Sequence, residues 1–307
     1  MVYRTPSAII KTKSSVERNI RFPLPRHELF INHNTRIPFL NSPIAIVVGS
    51  VGCPFKCKFC CVGQFEFRVR DLANLLEEIR YIKGVGINNI FFVDPAFTAH
   101  KDNCIRFCKE ITELKINWIC NSHPACLVDN EFTNLLETAG CRMIMMGVET
   151  GSAEMLELYS KSTAIKLIKE AFKVCKINHI HTLAYFIIGF PGETRSSVLK
   201  TISFAKELNC DFVSFDFPMP DFGTDLREEM INRNLIPADF LYGWDPSGKP
   251  LFPADNLSIR DLIKLRDKAY REFYLRPSYI KNRLFNLNSV QELKSLIKGG
   301  MSLFLKR

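Results

Sequence analysis

The chain has 307 residues, 47% hydrophobic and 24% charged, with 11 cysteines and a formal charge of +9. That is long enough to bury a substantial core, the composition is globular, and no apolar run approaches the length of a membrane span, which excludes disordered and transmembrane classes. The charge is uneven, residues 258–307 carrying 12 Lys/Arg against 4 Asp/Glu; this end reads as a solvated face or a contact for an acidic partner, and nucleic acid is disfavoured because no binding motif accompanies it.

Residues 1–43 are polar and interrupted by Pro6, Pro23, Pro25, Pro38 and Pro43. They read as an N-terminal extension with little periodic structure and no secretory signal. From Ile44 short apolar runs alternate with amphipathic segments. Ile44–Val48 predicts a buried strand, and residues 70–83 a helix with Leu72, Leu75, Leu76 and Ile79 on one face. Further strands are expected at Ile90–Val93, Ile116–Cys120, Met143–Val148, Leu183–Ile188 and Phe212–Phe215. Helices fall at about 102–114, 129–139, 153–159, 164–176 and 194–208, with Gly140 as a helix stop. Six strands alternating with helices predict parallel βα units with right-handed crossovers. Eight units would close a barrel. Residues 44–250 hold periodic sequence for six, hence an α/β fold, a partial (β/α)6 TIM-type barrel. Residues 251–307 read as a helical C-terminal tail. Ser258 caps a helix through Phe273, others start after Pro277 and near Ser289, and Gly299-Gly300 ends the last. Its apolar and then basic end, 301–307, docks on the barrel or makes a peripheral membrane contact.

The densest chemistry follows the first strand, in Gly52-Cys53-Pro54-Phe55-Lys56-Cys57-Lys58-Phe59-Cys60-Cys61. Cys53, Cys57 and Cys60 stand in a Cys-x3-Cys-x2-Cys spacing with Phe59 before the third. Three thiolates on one loop hold three irons of a [4Fe–4S] cube and leave the fourth open, whereas most ferredoxin-type clusters use four cysteines. An open iron implies chemistry on a small molecule. Structural zinc needs four ligands, usually as two pairs, and no second pair follows. Buried core cysteine is common, but Gly, Pro and two Lys make this stretch a loop. Cys104 and Cys108, four apart on a helix, read as core or surface thiols, and Cys61 as a packed neighbour of the loop. Eleven cysteines in a chain of this kind predict reduced thiols, a metal site and a cytoplasmic location.

In parallel βα folds ligands gather at the C-terminal strand ends. Those ends carry the cysteine loop, Asp94, Asn121, Glu149, the run Gly189-Phe190-Pro191-Gly192-Glu193-Thr194, and Asp216 with Pro218-Met219-Pro220. Carboxylates such as Asp94 and Glu149 accept from ammonium or hydroxyl groups. Gly189 and Gly192 let a backbone approach a flat ring closely. Phe215, Phe217, Met219 and Phe222 line an apolar pocket or belong to the core.

The cysteine loop resembles that of the radical S-adenosylmethionine (SAM) superfamily. The runs 142–152 and 185–194 and the segment 270–277 are similar to the branch whose members usually carry a cobalamin-binding domain, and the resemblance covers about residues 40–280. It implies the same partial barrel and a [4Fe–4S] cluster on Cys53, Cys57 and Cys60. It implies SAM chelated on the open iron and cleaved by one electron to a 5′-deoxyadenosyl radical, which abstracts hydrogen from an organic substrate for methylation or rearrangement. By that resemblance Asp94 would lie near the amino group of SAM, Glu149 at its ribose and Phe59 beside the cluster loop, while Asn121, Gly189 and Gly192 are cofactor-binding candidates from their place at the strand ends. A one-electron donor of flavodoxin or ferredoxin type and oxygen sensitivity follow. The cobalamin domain usual in that branch has no counterpart, the chain opening where the linker after it would lie, so cobalamin would come from a separate cobalamin-binding subunit. Methylthiotransferase relatives need a second cysteine triad, and residues 1–52 contain no cysteine. Many relatives have arginine where this chain has His123, which reads as structural or substrate-facing. The alternative is a non-catalytic iron–sulfur electron-transfer or accessory subunit; the strand-end polar residues argue against it.

Overall fold

A computed structural model describes residues 2–4, 9–11, 20–31, 43–241 and 248–285. Its centre is a six-stranded sheet of β1 (Ile44–Val47), β2 (Asn89–Phe92), β3 (Asn117–Ser122), β4 (Cys141–Glu149), β5 (His181–Ile187) and β6 (Phe212–Asp216), in sequence order. Every pairing is parallel. β1 and β6 occupy opposite edges and do not pair, so the barrel stays open.

The connecting helices are α1 (Leu72–Gly84), α2 (Lys101–Ile111), α3 (Asn130–Thr138), α4 (Ala153–Leu158), α5 (Ile165–Ile177) and α6 (Arg195–Leu208). After β6 come α7 (Asp225–Asn232), α8 (Ile259–Tyr274) and α9 (Pro277–Phe285). Asp71, Asp129, Thr194 and Ser258 accept from the first-turn N–H groups of α1, α3, α6 and α8, as N-caps do. α1 starts two residues later than the periodicity suggests, because Arg70 N–H goes to Gly49 C=O at 2.9 Å and Asp71 caps. The helix expected near Ser289 and the segment 301–307 lie outside the described residues.

Strand residues alternate between two faces. Ala45, Ile90, Trp118, Ile144, Phe186 and Val213 face the helices and form one core with them. Ile119, Met143 and Met145, with Phe91, Leu183, Tyr185 and Phe212, form a separate inner cluster.

The β6 edge shows why the sheet stops at six. Tyr270 Oη accepts from Phe215 N–H at 2.9 Å. Tyr274 Oη accepts from Val213 N–H and donates to Val213 C=O, both at 3.1 Å. Tyr279 Oη donates to Asp211 C=O at 3.0 Å. Tyrosine hydroxyls thus take the edge groups that a seventh strand would pair, while Leu262, Leu265, Ala269 and Phe273 of α8 join the outer core.

The N-terminal extension is more firmly anchored than its composition suggests. Val2–Arg4 pairs antiparallel with Ile9–Lys11. Glu78 of α1 accepts from both His27 and Arg70 in the interior, and Phe22 exchanges two hydrogen bonds with the Asn74 side chain.

Candidate functional site

The cysteine loop leaves β1 and returns ahead of α1. Its neck is a short antiparallel ladder, Ser50 opposite Val69 and Val51 opposite Arg68. Asp94, just past β2, fixes the neck: Oδ2 accepts from Gly49 N–H at 2.9 Å and Oδ1 from Ser50 Oγ at 2.5 Å. Asn121 Nδ2 donates to the Asp94 carbonyl at 3.1 Å. The carboxylate, 1% exposed, therefore spends both oxygens on the protein, and burial raises its pKa. Beyond the neck, Phe55 stacks on His123 with ring centroids 3.7 Å apart, and Phe59 packs on Phe190 at 5.4 Å. Lys58 N–H reaches Tyr159 C=O at 3.2 Å, and Leu226 N–H reaches Lys58 C=O at 3.0 Å.

Cys53, Cys57 and Cys60 are free, half-buried thiols on this anchored loop, whereas Cys104, Cys108, Cys120, Cys141, Cys175 and Cys210 are buried. Burial raises the Cys53 and Cys57 thiols, Cys57 to about 11. Cys61 is half-buried and bonded to the Asp221 side chain. Cys104 and Cys108 sit in the outer core.

At the end of β4 a bulge between Gly147 and Glu149 interrupts the register with β5, and Glu149 takes a left-handed φ of +68°, an uncommon state for a side-chain-bearing residue. Glu149 Oε1 accepts from Lys161 Nζ at 2.8 Å, the two side chains being 10% and 7% exposed. The pair lies over Gly147, where a Cβ would collide with Glu149 Oε1 and Lys161 Nζ. Burial works against the Lys161 ammonium, but Glu149 first, then Cys57 and Cys53, outweigh it and raise its pKa. One buried cation is therefore shared by a carboxylate and two loop thiols.

His123 follows the inner-face alternation of Asn117, Ile119 and Asn121. Its Nδ1 accepts from Ala125 N–H at 3.3 Å, and burial, then Lys161, lower its pKa to about 3. After β5, Glu193 Oε2 accepts from Gly189 N–H at 2.6 Å and Phe190 N–H at 3.3 Å, and burial raises its pKa to about 7. Gly189 needs its φ of +102°, and the space beside it is filled by Leu262 of α8, so no ring is needed to explain that glycine. Gly192 N–H donates to Asp255 Oδ2 at 2.8 Å.

The structure brings Cys53, Cys57, Glu149 and His123 into the field of Lys161, with Asp94 and Asn121 supporting the loop. Of the aromatic residues around strand six, Phe215 belongs to the outer core and Phe217 packs against it, the core alternative, while Phe222 is 60% exposed under the Arg227 guanidinium. The apolar inner face of the sheet is instead the cluster of Met143, Met145, Leu183 and Tyr185. Sequence reasoning missed Lys161 as a site residue and did not single out Glu193. The latter was visible as the acid of the Gly-Phe-Pro-Gly-Glu run; the former gave no local signal.

Among the described residues no three His, Cys, Asp or Glu side chains converge as the ligands of one ion do. Three thiols spread along an anchored loop, two of them near an ammonium, suit an anionic multi-iron cluster, each iron taking its own thiolate. An open parallel α/β barrel with such a loop after its first strand defines an iron–sulfur barrel protein. The profile of the Radical SAM superfamily matches residues 47–205, over half of the chain, and the protein belongs to that superfamily. The chain is 32% identical over 251 residues to an uncharacterised methyltransferase of Pyrococcus horikoshii, covering 79% of this chain and 54% of the relative. It is 25% identical over 273 residues to the anaerobic magnesium-protoporphyrin IX monomethyl ester cyclase of Rubrivivax gelatinosus, covering 87% and 48%. The chain thus spans about half the length of these curated relatives. In fold it is similar to the radical SAM methyltransferase TsrM of Kitasatospora setae with cobalamin and a [4Fe–4S] cluster bound, at a TM-score of 0.61 and 17% identity, covering 84% of this chain and 61% of that one.

Proposed function

We propose that this chain is the barrel of a radical SAM enzyme, with Cys53, Cys57 and Cys60 holding a [4Fe–4S] cluster and SAM on its open iron. When bound, that group supplies, on receiving one electron, the 5′-deoxyadenosyl radical that abstracts hydrogen from an organic substrate. The observation that carries the reading is the proximity of Cys53 and Cys57 to the buried Lys161–Glu149 pair at the C-terminal end of the sheet. Lys161 supplies counter-charge to the thiolates and to the SAM carboxylate. Glu149 holds that ammonium in place and presents its second oxygen to the ribose. Asp94 acts through the neck of the loop, and Asn121 through Asp94. Phe59, packed on Phe190, shapes the wall beside the nucleoside, and the turn from Gly189 to Gly192 carries Phe190. The inner apolar cluster seats the substrate and excludes water.

The relatives named as methyltransferase and cyclase favour methylation or ring formation at carbon. Cobalamin, bound in the TsrM structure, would reach this barrel from a separate subunit or from a segment outside residues 44–250. Those residues form the catalytic unit, with 1–43 as an extension and 251–307 as the C-terminal region, whose α8 and α9 cover the β6 edge. A flavodoxin- or ferredoxin-type donor and a cytoplasmic setting suit an oxygen-sensitive cluster, and among the described residues no helix is long and apolar enough to cross a membrane.

The test is anaerobic reconstitution followed by reductant and SAM, with 5′-deoxyadenosine quantified. Formation that is lost in Cys57→Ala supports the reading. A reducible cluster that leaves SAM intact favours the electron-carrier alternative.

A further inference from the structure

His123 sits in the mouth of the barrel with an unspent donor. Its Nδ1 accepts from Ala125 N–H, which puts the ring proton on Nε2. Nε2 is buried and has no partner, and the residue is 4% exposed. A buried donor without an acceptor is costly and calls for an explanation. One face of the ring is covered by Phe55, midway between Cys53 and Cys57. The same Lys161 ammonium acts on His123, Cys53 and Cys57, so the imidazole shares the neighbourhood of the thiols. Burial, and then that ammonium, keep the ring neutral, with one N–H to give and no positive charge of its own.

We propose that His123 Nε2–H is a hydrogen-bond donor to an anionic acceptor of the loaded centre, either a cluster sulfur or a carboxylate oxygen of SAM. The proposal rests on the reading of Cys53, Cys57 and Cys60 as cluster ligands. Hydrogen bonds to cluster sulfurs stabilise the more negative, reduced state and raise the potential. A bond to the SAM carboxylate instead adds to SAM affinity. The ring face has a second task, holding Phe55 and with it the middle of the loop, and the test separates the two.

The unsubstituted protein, His123→Phe and His123→Gln are reconstituted without oxygen. Iron and labile sulfide per chain, the cluster potential by EPR-monitored titration, and SAM affinity by equilibrium dialysis are measured for each. Phe keeps an aromatic ring on Phe55 and deletes the donor, whereas Gln places an amide N–H near the position of Nε2. The expected result is loss in Phe with substantial recovery in Gln. A potential lowered by about 59 mV, tenfold for a one-electron couple, assigns a cluster sulfur. An affinity weakened about tenfold at unchanged potential assigns the SAM carboxylate. In the Phe variant, a potential within about 18 mV of the unsubstituted protein, twofold for a one-electron couple, together with a SAM affinity within twofold, overturns the inference and leaves the cluster reading standing. Any loss shared equally by Phe and Gln, loading included, also overturns it. Failure of the unsubstituted protein to take up iron and sulfide overturns both readings.

Discussion

Three strands of the barrel end in buried carboxylates, and each is kept there differently. Glu149, the last residue of β4, has a lysine. Asp94, after β2, has a backbone N–H and a hydroxyl. Glu193, after β5, has two backbone N–H groups on one oxygen and nothing on the other. Burying a carboxylate is costly unless it is paired or protonated. Neutral donors offset part of that cost, so burial still raises Asp94 and takes Glu193 to about 7. The cation stands only where the loop thiols are. Charge is thus concentrated on the side of the mouth that would receive an anionic cluster.

The largest expected effect comes from removing that cation. Lys161→Met strands Glu149, and breaking one side of a buried ion pair costs about 3–5 kcal/mol, measurable by denaturant unfolding of the metal-free protein. Lys161→Met with Glu149→Gln should recover at least half of the loss; no recovery would mean that Lys161 acts through groups other than Glu149.

Glu193 tests the opposite case, an acid without a cation. Its folded pKa of about 7 lies above the ordinary value of 4.5. The folded state therefore holds the proton over a window in which the unfolded chain has released it. Stability should fall as pH rises from about 4.5 to 7 and level off above, by on the order of 3 kcal/mol. Glu193→Gln should remove that slope, and an unchanged pH profile would count against a protonated Glu193.

Gly147→Ala sharpens the comparison from the side of the backbone. The added methyl displaces the Glu149–Lys161 pair without deleting either charge, and overpacking of this kind costs about 1–3 kcal/mol. The loss should shrink in a Glu149→Gln background if the clash with the pair is the cause. Asp94→Asn is expected to be the mildest, about 1 kcal/mol, because the amide oxygen still accepts one of the two bonds. Its signature should be lower iron and sulfide uptake per chain, since the neck of the loop loosens, whereas equal uptake would separate Asp94 from the loop.

Much of the architecture was legible in the sequence. Each strand of the sheet is a short apolar run, each connecting helix shows 3.6-residue periodicity, and both signals are local. The cysteine spacing was legible for the same reason, since its chemistry lies within a few residues. The two short strands at the neck of the loop were not, because two-residue ladders have no period to read. The anchoring of the extension was hidden too, since His27 reaches Glu78 across 51 residues.

Lys161 shows the limit most clearly. In the sequence it is one lysine among many, 12 residues beyond Glu149. It becomes a site residue only because Glu149, turned by the bulge and its left-handed φ, meets it over a glycine with no side chain in the way. Glycines 147 and 189 likewise acquire their reasons from what packs on them, an ion pair and Leu262. The sequence by itself determined the parallel βα order and the chemistry of the cysteine loop, because periodicity and motif spacing are properties of neighbours along the chain. Only the tertiary structure decided which charges meet, which donor on His123 is left unspent and how the sixth strand is finished, because burial and pairing depend on groups that are distant in sequence.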